Sequence, residues 1–143
     1  MLISLGNDHA GVEVKKNIEK YLNEKGIKTK NRGYDGEESV DYPDYIHKVA
    51  EDVDEKKAEV GIIVCGSGNG AAMTANKHQG VRAAICWNKE TAALAKQHNN
   101  ANIISIPSRF LEKEEVEEII KSFLEARFEG GRHERRVKKI PKQ

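Results

Sequence analysis

Residues 60–77 read VGIIVCGSGNGAAMTANK, and the fold turns on how this stretch is read. Val60 to Val64 is an unbroken apolar run, the mark of a strand covered on both faces. Ala71 to Lys77 reads as a helix with small residues on its packing side. Between them Gly66, Gly68 and Gly70 alternate with Ser67 and Asn69. With so few side chains in the way, backbone N–H groups can approach a ligand closely. Cys65 stands where the strand ends and that ring of donors begins.

The same strand-to-helix rhythm repeats on either side. Leu2 to Leu5 is a short apolar strand, followed by the loop Gly6 to Gly11. Val12 to Lys25 carries Val14, Ile18, Tyr21 and Leu22 at helical spacing, and Gly26 is a natural stop. Ile27 to Arg32 is a weak edge strand. Asp41-Tyr42-Pro43 opens a helix reaching about Lys57, with proline in the first turn, where its missing N–H does no harm. Arg82 to Cys86 and Asn102 to Ile106 complete five strands, with helices near Lys89–Gln97 and Glu112–Phe128. Strict alternation of β and α predicts a Rossmann-like, doubly wound, five-stranded parallel sheet in three αβα layers. Ligands of such sheets bind beyond the carboxyl ends of the strands, where the strand order reverses. An order of 2-1-3-4-5 puts that reversal between the first and third strands. Asp8, His9, Cys65 and Ser67 then converge: an acid, an imidazole, a thiol and a hydroxyl around backbone donors.

Composition narrows the function. The 143 residues read as one domain, 1–143, ending in a basic tail from about residue 129. Net charge is +1, with 24 Lys and Arg against 23 Asp and Glu, so no bulk charge selects nucleic acid or a membrane. Two cysteines and no hydrophobic leader point to a reduced, cytoplasmic protein. Gly66 to Ala71 formally fits the dinucleotide fingerprint, but it follows the third strand rather than the first and lacks a ribose-binding acid. It also lacks the Lys-Ser/Thr ending of a P-loop. The cysteines show no CxxC pairing, so zinc has little support.

Five segments together resemble the ribose-5-phosphate isomerase B family and its relatives, the galactose-6-phosphate isomerase subunits. They are GNDHAG at 6–11, DYPDY at 41–45, CGSGNGAAMTANK at 65–77, QHNNANIISI at 97–106 and EGGRHERRV at 129–137. They keep their order and cover nearly the whole chain. The resemblance implies an aldose–ketose isomerase of a phosphorylated pentose that needs neither metal nor nucleotide, hence no cofactor. It implies Cys65 as the base, with Ser67 orienting the sulfur and the N–H groups of Gly66, Ser67, Gly68, Asn69 and Gly70 holding the developing oxyanion. An unperturbed thiol titrates near about 8.5, and a loop of donors can lower that towards neutrality. Part of the family uses a glutamate just after the loop; Ala71 occupies that position here, which favours Cys65. His98, aided by Asp8, is assigned to ring opening, and Asn99 to the sugar or the enediolate. His9, Arg109, Arg132 and Arg136 are assigned to the phosphate. Tyr42 either lines the sugar pocket or packs beneath Pro43. Cys86 reads as a buried structural thiol, and His47, His78 and His133 as surface or structural histidines. Arg135, Lys138, Lys139 and Lys142 read as solvated charges.

One assignment carries a topological demand. His98 and Asn99 close the helix before the fifth strand, so they lie at the amino edge of the sheet. A five-residue strand spans roughly 17 Å, too far for an imidazole to reach across. Either His98 has no catalytic role or it serves the site of a neighbouring chain; the resemblance implies the second, and a homodimer, with pairing into a tetramer left open, would complete two equivalent sites. Two other readings compete: isomerisation of allose 6-phosphate or galactose 6-phosphate, and a non-catalytic phosphate- or nucleotide-binding module.

Overall fold

The computed structural model describes residues 1–142. In chain order the elements are β1 (Leu2–Asn7), α1 (Val12–Glu24), β2 (Lys28–Asn31), α2 (Tyr42–Asp54), β3 (Val60–Cys65), α3 (Asn69–Ala75), β4 (Ala83–Ile85), α4 (Lys89–Asn99), β5 (Ile103–Pro107), α5 (Lys113–Glu125) and α6 (Arg132–Val137). Single 3-10 turns occupy His9–Gly11 and Ser108–Phe110. All four strand pairings are parallel. Helices cover both faces, so the Rossmann-like αβα architecture stands. Among the described residues no helix is long and apolar enough to cross a membrane.

The period-2 alternation of the strands sorts their side chains between two cores. Ile3, Leu5, Ile62, Val64, Ile104 and Ile106 face Ile18 and Leu22 of α1, Ala95 of α4 and Ile119, Ile120 and Phe123 of α5. Ile63, Cys65 and Ile103 face Ile46, Val49 and Val53 of α2 and Ala71 and Ala75 of α3. Each fully buried Ile, Leu or Phe contributes about 1.5–3 kcal/mol by leaving water. Ser4, Asp52 and Arg32 sit on the α2 side of β1. Ser4 Oγ donates to Asp52 Oδ2 at 2.8 Å, and Arg32 donates to both carboxylate oxygens at 3.0 and 2.9 Å. Burial works to raise the Asp52 carboxyl, but the bonds from Arg32 and Ser4 outweigh it and hold the group below the usual carboxylate range.

The sheet order is β2-β1-β3-β5-β4, which corrects the expected 2-1-3-4-5. The chain passes from β3 over the future place of β5, lays β4 at the edge, and returns by α4 on the other face. Coverage decides the order. Ile103, Ile104 and Ile106 of β5 are fully buried, whereas Ala83, Ala84 and Ile85 of β4 are only partly so. Small residues tolerate the half-covered edge, and three isoleucines do not. The consequence for function is direct: Cys65 pairs in register with Pro107 of β5, so the loop after β5, not that after β4, stands beside the Cys65 loop.

Element ends differ from the sequence reading by a few residues. β1 runs on to Asn7, which pairs with Val64. α2 stops at Asp54 rather than Lys57, where Lys56 enters the left-handed region at φ 60°. α3 begins two residues early, at Asn69, and α5 ends at Glu125 because Ala126 is extended. α4 is fixed at its start by a capping box in which Asn88 accepts from Thr91 N at 2.8 Å. It ends at Asn99, so His98 and Asn99 do close the helix.

Candidate active site at the carboxyl edge of the sheet

Three loops, leaving β1, β3 and β5, meet at the carboxyl edge and are tied to one another. Ser108 Oγ lies within donating distance of Ala10 O (3.3 Å) and Cys65 O (3.2 Å). Arg109 N donates to Gly66 O at 3.1 Å, and Ser105 Oγ donates to Gly68 O at 2.8 Å. Gly68 has φ 77°, a conformation that requires glycine and turns the chain into α3. Under the first loop, Asn7 Nδ2 donates to Asp8 O and to Tyr34 O, both at 2.8 Å.

These loops enclose a cavity of about 310 Å³, lined by Asp8, His9, Tyr42, Cys65, Ser67 and Arg109 together with Ala10, Gly66, Gly70 and Phe110. That volume suits a small metabolite. Asp8 is buried, and its Oδ1 accepts from Ala10 N at 2.9 Å. Its other oxygen makes no hydrogen bond among the described residues. His9 Nδ1 accepts from Val40 N at 3.0 Å, so a neutral ring carries its proton on Nε2 as a donor. The guanidinium of Arg109 lies over Gly66, where an added Cβ would stand 3.0 Å from Cζ and Nε. Tyr42 rests on Gly70, where a Cβ would come within 2.5 Å of the ring Cζ. Of the two readings of Tyr42, the geometry gives the cavity wall.

Cys65 is the thiol of the cavity, and the N–H groups of Gly66, Ser67 and Gly68 make no hydrogen bond to protein among the described residues. Ser67 Oγ accepts from Asn69 N at 3.3 Å, and no hydrogen bond joins it to the Cys65 sulfur among the described residues. Cys86 differs in kind. It is fully buried under α4 and α5, and burial pushes its thiol up to about 12. A group held neutral there has no means to accept a proton.

His98, Asn99, Arg132 and Arg136 do not line this cavity. Asn99 borders a second cavity, of about 310 Å³, with Asn76, His78, Arg82 and Ile140. His98 is stacked on His133 of α6, beside Glu129. Arg132 and Arg136 are exposed on one face of α6. His47 and His78 bond to each other across 2.8 Å. Sequence reasoning missed Ser108, which ties the loops, and Phe110, which lines the cavity and meets Trp87 at 5.6 Å between ring centroids. Their signal is their place just after β5, legible only once β5 is known to lie beside β3.

Residues 3–140 match the ribose/galactose isomerase family. This chain belongs to that family. Among solved members of the ribose/galactose isomerase family, a ribose 5-phosphate isomerase from Thermotoga maritima is 44% identical, with a TM-score of 0.97 over 99% of this chain and 98% of that one. A ribose-5-phosphate isomerase B from Mycoplasma genitalium, solved with bound ribulose-5-phosphate, is 42% identical, with a TM-score of 0.94 over 97% of this chain and 93% of that one. The ribose-5-phosphate isomerase B of Escherichia coli is 38% identical, matched over 96% of this chain and 93% of its own length.

Proposed function

We propose that this chain interconverts ribose 5-phosphate and ribulose 5-phosphate, with Cys65 as the base. The observation that carries the reading is the Cys65 thiol at the wall of a small cavity, bordered by unpaired backbone donors, Asp8, His9 and Arg109. Isomerisation consumes no electrons. The thiolate takes the C2 proton of the open-chain aldose, the bonding pair moves into a C1–C2 double bond, and the former carbonyl becomes an oxyanion. The free N–H groups of Gly66 to Gly68 face that charge, a contribution of roughly 3–4 kcal/mol for each well-aimed donor. The thiol then returns the proton to C1, and the hydroxyl proton on O2 passes to O1.

His9 donates from Nε2 and Arg109 from its guanidinium fork to the phosphate dianion. Asp8 accepts from the ring hydroxyl. Tyr42, Ser67, Asn69 and Gly70 line the path of the sugar. His98, which opens the ring, Asn99, and the phosphate-binding Arg132 and Arg136 come from a second copy of the chain. That none of the four lines the cavity in its own subunit supports this, and so does the apolar surface left exposed at Met73, Trp87 and Phe110. A homodimer completes two such sites. Unpaired cysteines, one of them the base, suit a reducing compartment such as the cytoplasm.

A coupled assay across ribose 5-phosphate, allose 6-phosphate and galactose 6-phosphate tests the reading, beside Cys65→Ala. The five-carbon aldose should turn over fastest, and the variant should lose about 10²–10⁴ in kcat while still binding substrate. Turnover by Cys65→Ala near the parent's would remove Cys65 from the base's role.

A further inference from the structure

The chain after α5 returns to α4. Glu129 N donates to Gln97 O at 3.0 Å, and Gly130 and Gly131 then adopt φ 68° and 56°, conformations that few other residues tolerate. This tight turn starts α6 so that the His133 ring lies on the His98 ring. The centroids are 4.2 Å apart and the planes differ by 10°. His133 is 9% exposed, buried for a residue on a short basic helix. Glu129 Oε1 stands 3.7 Å from His98 Nε2 and 3.6 Å from His133 Nε2, facing both imidazoles at once.

Two imidazoles and a carboxylate are metal-ligand chemistry, and their ligating atoms lie within 4.8 Å of one another. The stacking speaks against an ion. Nitrogen lone pairs lie in the ring plane, so those of two parallel rings run side by side and do not converge on one centre. The arrangement serves orientation instead.

We propose that His133 and Glu129 are positioning residues for His98: the stacked ring fixes the plane of the His98 imidazole, and the carboxylate anchors Nε2, leaving Nδ1 to exchange the proton of ring opening. This rests on the isomerase reading and extends it to two residues that touch no substrate. Burial, and then the neighbouring His98 and Arg132, push the His133 imidazole below its ordinary value, which favours its neutral form beside His98. Arg132 and Arg136 also act on the His133 ring, against the pull of Glu129, and the carboxylate is shared between the two imidazoles, so the stack provides the main constraint.

The chemistry of the two substrates separates positioning from general damage. Ribose 5-phosphate closes into a ring through O4. Ribulose 5-phosphate cannot close, because its O5 carries the phosphate. A fault confined to ring opening therefore spares proton exchange on the ketose. Parent chain, His133→Ala, His133→Phe and Glu129→Gln are compared in two assays: isomerisation of ribose 5-phosphate, and solvent-deuterium incorporation at C1 of ribulose 5-phosphate. His133→Ala should lower kcat on ribose 5-phosphate by about 10- to 100-fold. Deuterium incorporation should stay close to the parent's. His133→Phe, which keeps a flat ring to stack on, should recover much of the loss, and Glu129→Gln, a mild exposed change, should fall between. Parallel loss of both activities in all three variants, or no loss on ribose 5-phosphate, overturns the inference. A parent chain inert towards both sugars overturns the isomerase reading itself and this inference with it.

Discussion

Gly70→Ala should make the protein more stable and less active at once. Gly70 is the second residue of α3, and glycine in a helix costs up to about 1 kcal/mol relative to alanine. Its φ is not left-handed, so alanine brings no backbone strain. The new Cβ, however, would stand 2.5 Å from Tyr42 Cζ, 2.7 Å from Cε1 and 2.8 Å from the hydroxyl. An ordinary carbon–carbon contact is about 3.5–4.0 Å, so the ring must move by an ångström or more. Tyr42 is 38% exposed and free to do so at small energetic cost, but it lines the cavity and its shift changes the shape of that wall. A misplacement of that size costs on the order of 10²-fold in turnover. Thermal melts and isomerase kinetics on the purified variant check both halves. The double variant Gly70→Ala/Tyr42→Ala should be no worse than Tyr42→Ala alone, because the clash has lost its partner. Full activity in Gly70→Ala, or an additive loss in the double variant, would refute the proposed contact.

Arg132→Ala and Arg136→Ala should each raise KM for the phosphorylated sugar by roughly 10- to 150-fold, the loss of one charge-assisted contact of about 1.5–3 kcal/mol, with little change in kcat. Unaltered KM in both variants would return α6 to the status of a solvated face. Asp52→Asn should destabilise the fold by about 1.5–3 kcal/mol in urea titrations at neutral pH. Its folded carboxyl titrates below the unfolded value, so this stabilisation is full above about pH 4 and fades as pH falls further. A parent–variant gap that persists at the lowest pH would contradict it. Mixing inactive Cys65→Ala with inactive His98→Ala chains should restore part of the activity, since one pocket of the heterodimer is free of lesions. Heterodimers with no activity would exclude a shared site.

The stretch Val60–Lys77 made the architecture legible because an apolar run, a glycine loop and a small-residue helix leave little choice of local structure. The convergence of Asp8, His9 and Cys65 followed from parallel strands with the first beside the third, a neighbourhood that the observed order keeps. The place of β5 did not, since AAI and IISI both read as short apolar strands. Only the relative coverage available to alanine and isoleucine in the finished sheet separates edge from centre. Ser67 was expected against the sulfur, but the tight turn puts the N–H of Asn69 beside its oxygen, a local geometry that no residue pattern encodes. His133 looked like an ordinary tail histidine. What makes it otherwise is a tertiary stack on a residue of another helix, set by two left-handed glycines whose sequence signal says only that the chain turns.

The insertion of β5 between β3 and β4 also orders events in time. β1, β2 and β3 can pair as they leave the ribosome, but β4 pairs only with β5 and must wait unpartnered until that later strand is made. Closing the sheet therefore waits for β5, which enters between β3 and β4. That same step brings Arg109 and Phe110 up to Cys65, so the cavity at the carboxyl edge exists only once the sheet is complete.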